Sequence, residues 1–225
     1  MEILDKIQID LNPKKIGEKL HVQKTGSWDQ FQGIFEAATP LITPKAAYGV
    51  RYIGEKLEDA VVIDGSCLKS RVLRKNLETV GRVFPYVVTI GPGLEAQADA
   101  SQDLLEKYYL DSIGNAALIR ARKYLEDELR ARFAMEGLSF MSPGSLEDWP
   151  IEEQRPLFSL LEGVENAIGV KLNESLLMIP RKSVSGIFFP TEVTFYSCQL
   201  CPRKPCEGRK APYKEDLARE YGILE

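Results

Sequence analysis

Three thiols crowd one short stretch near the C-terminal end, "SCQLCPRKPCEGRKAPY": Cys198, Cys201 and Cys206, spaced Cys-x2-Cys-x4-Cys. The one other cysteine is Cys67. Two thiolates on a tight turn, a third after Pro205 and a fourth from Cys67 would make an all-cysteine, four-ligand site. Such a site suits tetrahedral zinc or a [4Fe–4S] cluster. A redox dithiol, or a surface tail without a ligand, fits the same spacing. In a reducing compartment, clustered cysteines serve as metal ligands or redox thiols more often than as structural disulfides.

Other chemistry is sparse. His21 is the only histidine, which excludes multi-histidine metal sites, and no G-x-S-x-G accompanies it; it is given no role, and no residue is assigned a catalytic one. The glycines of "GPGLEAQADA" match neither G-x-x-x-x-G-K-[ST] nor G-x-G-x-x-G, so they read as a turn. Glu147, Asp148, Glu152 and Glu153 fall where helix starts favour negative charge. Lys69, Arg71, Arg74 and Lys75 read as a solvated helix face. The loop "SFMSPGSLEDW" and the hairpin "PRKSVSGIFF" set Ser142, Ser145, Ser183 and Ser185 on glycine-permitted bends beside aromatic residues. Together these would line a small-molecule groove, and turn chemistry alone explains each separately.

Positioning such groups takes elements that the pattern supplies. "GSWDQFQGIFEAATPLITPK" predicts a helix opened by Ser27, with Gln30 at capping-box spacing, and closed by Pro40 and Pro44. "AAYGVRYI", "DAVVID" and "RVFPYVVTIG" predict strands, the last buried. Ser66 is the expected cap of a helix over "LKSRVLRKNLETV". A long helix follows "GPGLEAQADA". Its Leu110, Gly114, Leu118, Ala121, Leu125 and Leu129 fall on one face at steps of three and four, with Arg122, Glu126 and Arg130 off it. Short helices are expected at Pro150 and Pro156, and a strand–turn–strand over "LLMIPRKSVSGIFF". Pattern alone gives one α/β unit of mixed strand direction.

The chain has 225 residues, 44% of them hydrophobic, ample for a packed core. Its formal charge of −4 is spread along the chain, which argues against nucleic acid or an anionic membrane as a partner. "MEILDKIQIDLNPKK" lacks the features of a signal peptide, and no run approaches the roughly 20 apolar residues that span a bilayer. A cytoplasmic location is expected.

The stretches "FPYVVTIGPGLEAQADA", "YYLDSIGNAALIRA", "SPGSLEDWPIEEQRPLFSLL", "IGVKLNESLLMIPRKSVSGIFF" and the cysteine tail run in the order of a known family. The sequence resembles the activation (reactivation) domain of vitamin B12-dependent methionine synthase, in the free-standing form found in anaerobic bacteria. The resemblance implies a single α/β (α+β) domain over 1–197, with a curved, largely antiparallel sheet and packed helices, followed by a cysteine-containing tail over 198–225. It implies an accessory protein that assists reductive reactivation of a cobalamin-bearing partner, a corrinoid protein or cobalamin-dependent methyltransferase. S-adenosylmethionine would be the methyl donor and flavodoxin or another low-potential donor the source of the electron. Ser142, Pro143 and Gly144, with Ser183, Ser185, Gly186 and Phe188, are the implied cofactor contacts. Cys198, Cys201, Cys206 and Cys67 would hold the metal, an iron–sulfur cluster fitting the need for a low-potential electron.

The family's phrase R-x-x-x-G-Y stands here as "FMSPGS": Phe140 replaces the arginine and Ser145 the tyrosine. A lost arginine–carboxylate bond costs on the order of a hundredfold in affinity, and Arg181 or Lys182 are candidate substitutes. The departure keeps a second reading open: an iron–sulfur or zinc-binding electron-transfer or binding module on the same fold that no longer binds S-adenosylmethionine.

Overall fold

The computed structural model describes residues 1–206 and 208–224. Its strands are β1 (Glu2–Leu4), β2 (Lys45–Tyr48), β3 (Arg51–Lys56), β4 (Ala60–Ile63), β5 (Ser66–Lys69), β6 (Arg82–Thr89), β7 (Leu138–Met141), β8 (Lys171–Leu172), β9 (Met178–Ile179) and β10 (Ser183–Pro190). The helices are α1 (Pro13–Lys19), α2 (Val22–Thr25), α3 (Trp28–Ala38), α4 (Arg71–Asn76), α5 (Gly93–Ala100), α6 (Leu104–Phe133), α7 (Gln154–Ser159), α8 (Val164–Ile168) and α9 (Glu215–Glu220).

The sheet is organised by β6, eight residues of "RVFPYVVT". Phe84, Tyr86 and Val88 point to one core and Val83 and Val87 to the other side, so the strand is buried on both faces, as its unbroken apolar run predicts. One edge of β6 pairs with β10, from Ser183↔Thr89 to Phe188↔Phe84. The other edge takes β2 along Tyr86 to Thr89 and then β3 along Arg82 and Val83. The predicted strand "AAYGVRYI" is therefore two strands broken at Gly49 and Val50. Pro85 supplies the reason: its carbonyl accepts from Gly49 N at 3.0 Å, but it has no N–H to return the bond, so the ladder lapses there. All pairings between described strands are antiparallel, which corrects the mixed direction read from pattern and agrees with the resemblance.

The expected helix at Ser66 begins later. Asp64 and Gly65, at φ 43° and 83°, make a tight turn of the Asp-Gly kind that joins β4 to β5. Ser66 opens β5, and Ser70 is the cap: its Oγ accepts from Leu73 N at 2.9 Å. Asp148 completes this helix start from a distant point in the sequence, its carboxylate accepting from Val72 N at 2.9 Å and from Ser70 Oγ at 2.5 Å. The negative charge read as serving a nearby helix thus serves α4.

The long helix α6 lies across the β6–β10–β2 face. Leu110, Gly114, Ala121, Leu125 and Leu129 are buried on its inner side, as spaced. Arg122, Glu126 and Arg130, each half-buried, run alongside that row. Residues beyond 197 also join the fold. Leu200 and Ala218 are buried beside Phe195 in the second core, where the Phe195 and Tyr221 rings stack at 5.7 Å.

Candidate functional site

The chain leaves β7 through a turn built by "SPGS". Gly144, at φ +80°, donates its N–H to Trp149 O at 2.7 Å, and Trp149 is fully buried. Ser145 Oγ donates to Ser142 O at 2.6 Å, so the hydroxyl standing at the family's tyrosine position is engaged within the turn. Pro143 is buried, Ser142 half-buried and Gly144 exposed.

Strand β10 divides the other implied contacts between two faces. A Cβ on Gly186 would lie 2.3 Å from Met141 O, 2.8 Å from Ser142 Oγ and 3.0 Å from the Tyr86 hydroxyl. Only glycine lets those three groups converge. Phe188, two residues on, is fully buried, stacked on Tyr86 at 4.4 Å and edge-on to Phe140 at 5.7 Å. Ser183 and Ser185 alternate to the opposite face. Ser185 Oγ donates to Gln154 Oε1 at 2.7 Å, and Ser183 Oγ is held by Pro180 O at 2.7 Å and Thr89 Oγ1 at 2.9 Å. The seven residues therefore do not line one groove. Ser142 and Gly186 meet, Phe188 supports them from inside, and the two β10 serines tie the sheet to its other face.

A cavity of about 560 Å³ opens on the Phe140 side, within the usual size of small-molecule sites. Its walls include Arg122, Glu126 and Arg130 of α6, Ser139 and Phe140 of β7, and Tyr196 and Lys210 from beyond β10. The Arg122 guanidinium lies 3.9 Å from the Phe140 ring centre and the Lys210 amine 5.0 Å from it. Lys210 is an exposed residue, yet its amine reaches into this concavity. Desolvation there, followed by the Arg122 charge, holds its pKa below the ordinary lysine value. Tyr86 sits beneath, its hydroxyl buried without a hydrogen bond of good geometry. Burial raises the pKa of that hydroxyl, with Arg122 and Ser142 pulling the other way.

The cations expected to replace the missing arginine are engaged elsewhere. Arg181 donates to Glu95 Oε1 and Asp99 Oδ1, both at 2.9 Å, and Lys182 to Asp111 Oδ1 at 2.6 Å and Asn115 Oδ1 at 2.7 Å. The cations that flank the Phe140 ring are instead Arg122 and Lys210. A sign of Arg122 was legible in the four-residue spacing of Arg122, Glu126 and Arg130 off the apolar face. Nothing in the sequence marked Lys210.

The cysteine segment is arranged around an arginine. Arg209 donates to the carbonyls of Cys198 at 3.0 Å, Cys201 at 3.1 Å, Arg203 at 2.5 Å and Ala211 at 3.3 Å. Lys210 N lies 3.4 Å from Cys198 Sγ. Cys67 is exposed on β5, opposite Val62. Among the described residues no three His, Cys, Asp or Glu side chains gather as a cation site, so the expected four-cysteine set does not fit a metal or cluster as the residues stand. The loop owes its shape to the Arg209 guanidinium. No helix of the described residues is long and apolar enough to cross a membrane.

Residues 145–207 match the family model described as "Vitamin B12 dependent methionine synthase, activation domain". Among solved structures, a crystal structure of the MetH reactivation domain bound to AdoHcy resembles the chain with a TM-score of 0.56 and 19% identity, covering 76% of this chain and 68% of that one. The fold is that of the methionine synthase activation domain. No curated protein sequence matches the chain. The activation-domain match runs from Ser145 at the SPGS turn through β10 and all three thiols of the tail to residue 207, so it crosses position 198, where the added tail was expected to begin.

Proposed function

We propose that this protein is an accessory factor for reactivating a cobalamin-bearing partner, a corrinoid protein or cobalamin-dependent methyltransferase. The observation that carries the reading is the family match over 145–207, set in a chain with the activation-domain fold. In this reading the cavity beside Phe140 takes S-adenosylmethionine. Ser139, Phe140 and Tyr196 form one side of the cavity and Arg122 and Glu126 of α6 another, while the corrinoid arrives with the partner. One electron from a low-potential donor and a methyl group from S-adenosylmethionine return cob(II)alamin to methylcobalamin, the C–S bond breaking with its electron pair left on sulfur. The chain's own contribution is position: a rigid turn and two strands hold the donor, and docking brings it to the metal.

The test is reactivation of a purified cobalamin-dependent methyltransferase left in the cob(II)alamin state, followed by absorption spectroscopy. With reductant and S-adenosylmethionine present, the protein is expected to hasten the appearance of methylcobalamin. An unchanged rate at saturating protein would end the reading.

A further inference from the structure

The cavity beside Phe140 is short of negative charge. Arg120, Arg122, Lys123, Arg130 and Lys210 line it against one carboxylate, Glu126. That carboxylate is already shared, 3.1 Å from Lys123 Nζ and 3.3 Å from Arg130 Nη2. Among the described residues neither Arg122 nor Lys210 has an ion-pair partner. Arg122 Nε is buried with no hydrogen-bond partner, and the two cations lie close enough that Arg122 lowers the Lys210 pKa. The Phe140 ring offsets only part of this, since each cation–π contact contributes about 0.5–2 kcal/mol. Two like charges held near one ring, one with an unmet buried donor, form an arrangement that an anion would complete.

We infer that Arg122 and Lys210 form an oxyanion site at Phe140, taking a carboxylate or phosphate between helix α6 and the C-terminal segment. The guanidinium offers paired donors in one plane and the amine a point charge from the other wall. Phe140, at the strand position where the family's phrase has arginine, serves as the platform on which the helix arginine lies. Assigning the carboxylate of S-adenosylmethionine to this site rests on the reading above; the oxyanion site itself does not.

Calorimetric titrations of the full chain with inorganic phosphate, S-adenosylhomocysteine and decarboxylated S-adenosylmethionine test it. Arg122→Gln, Lys210→Gln and the control Arg181→Gln are each checked for native unfolding behaviour. The expected result is phosphate binding that falls at least tenfold in both cavity variants, is retained in Lys210→Arg and is unchanged in Arg181→Gln. S-adenosylhomocysteine is expected to outbind the decarboxylated compound at least tenfold in the native protein and to lose that margin in Arg122→Gln. Phosphate bound through Arg122 and Lys210 with no nucleoside binding would uphold the site and remove S-adenosylmethionine as its ligand. Nucleoside binding indifferent to both variants would overturn the site and leave the proposed function standing. Binding of none of the three would overturn both.

Discussion

At the scale of single residues, Lys210 links protonation to binding. Its amine faces Arg122 and Glu126 from α6, Phe140 from β7 and Cys198 from its own segment, and its folded pKa lies below 10.5. The sign follows directly. Between the lowered value and 10.5 the unfolded chain holds more protons than the folded one, so the empty protein gains stability as pH rises through that window. A bound oxyanion favours the protonated amine and opposes this. Phosphate affinity is therefore expected to decline as pH rises above neutrality toward 10.5, with proton uptake on binding. Calorimetry in buffers of different ionisation enthalpy measures both. Lys210→Gln should flatten the profile; a profile unmoved by it would assign the titration to another group.

At the scale of elements, the C-terminal loop is held by hydrogen bonds from one guanidinium to four carbonyls. Charge-assisted bonds of this kind contribute more than neutral ones, although partial exposure reduces the sum. Arg209→Ala is expected to cost about 1–3 kcal/mol in urea unfolding, and Cys206→Ser, at an exposed thiol, less than about 0.5 kcal/mol. The reverse ranking would mean that thiol ligation shapes the loop. The same contrast explains what was legible in advance. Local periodicity displayed β6 and the inner face of α6, because each is fixed by residues two to four apart. The cap of α4 was misplaced by four residues because Ser66 and Ser70 are equivalent by composition. The Asp64–Gly65 turn separates them, and it was the overlooked signal. Arg181 and Lys182, the nearby cations that the sequence offers for the family's arginine, are held by Glu95, Asp99 and Asp111. The cations that flank Phe140 come from α6 and from a segment 70 residues after it, a juxtaposition that only the tertiary fold creates.

At the scale of the whole molecule, the cavity stands where two bodies of packing meet. α6 belongs to the first core and Phe195, Leu200 and Ala218 to the second, and the cavity walls draw on both. An oxyanion bound between Arg122 and Lys210 would therefore brace one core against the other. Ligand binding to the folded state alone adds about 2.7 kcal/mol of stability at a hundred times its dissociation constant. Leu200 is the buried side chain that seats the loop leading to Lys210. Truncating a buried leucine costs about 2–5 kcal/mol. Leu200→Ala is thus expected to lower the melting temperature and, because the loop seat is loosened, to weaken phosphate binding although Leu200 lies outside the cavity lining. The measurement is thermal unfolding with and without phosphate. Native protein should gain stability on adding it, Arg122→Gln should gain little, and Leu200→Ala should combine a lower starting temperature with a reduced gain. A full gain in Leu200→Ala would show that the cavity is built without the seating of the C-terminal loop, and that Lys210 is placed by Arg209 alone.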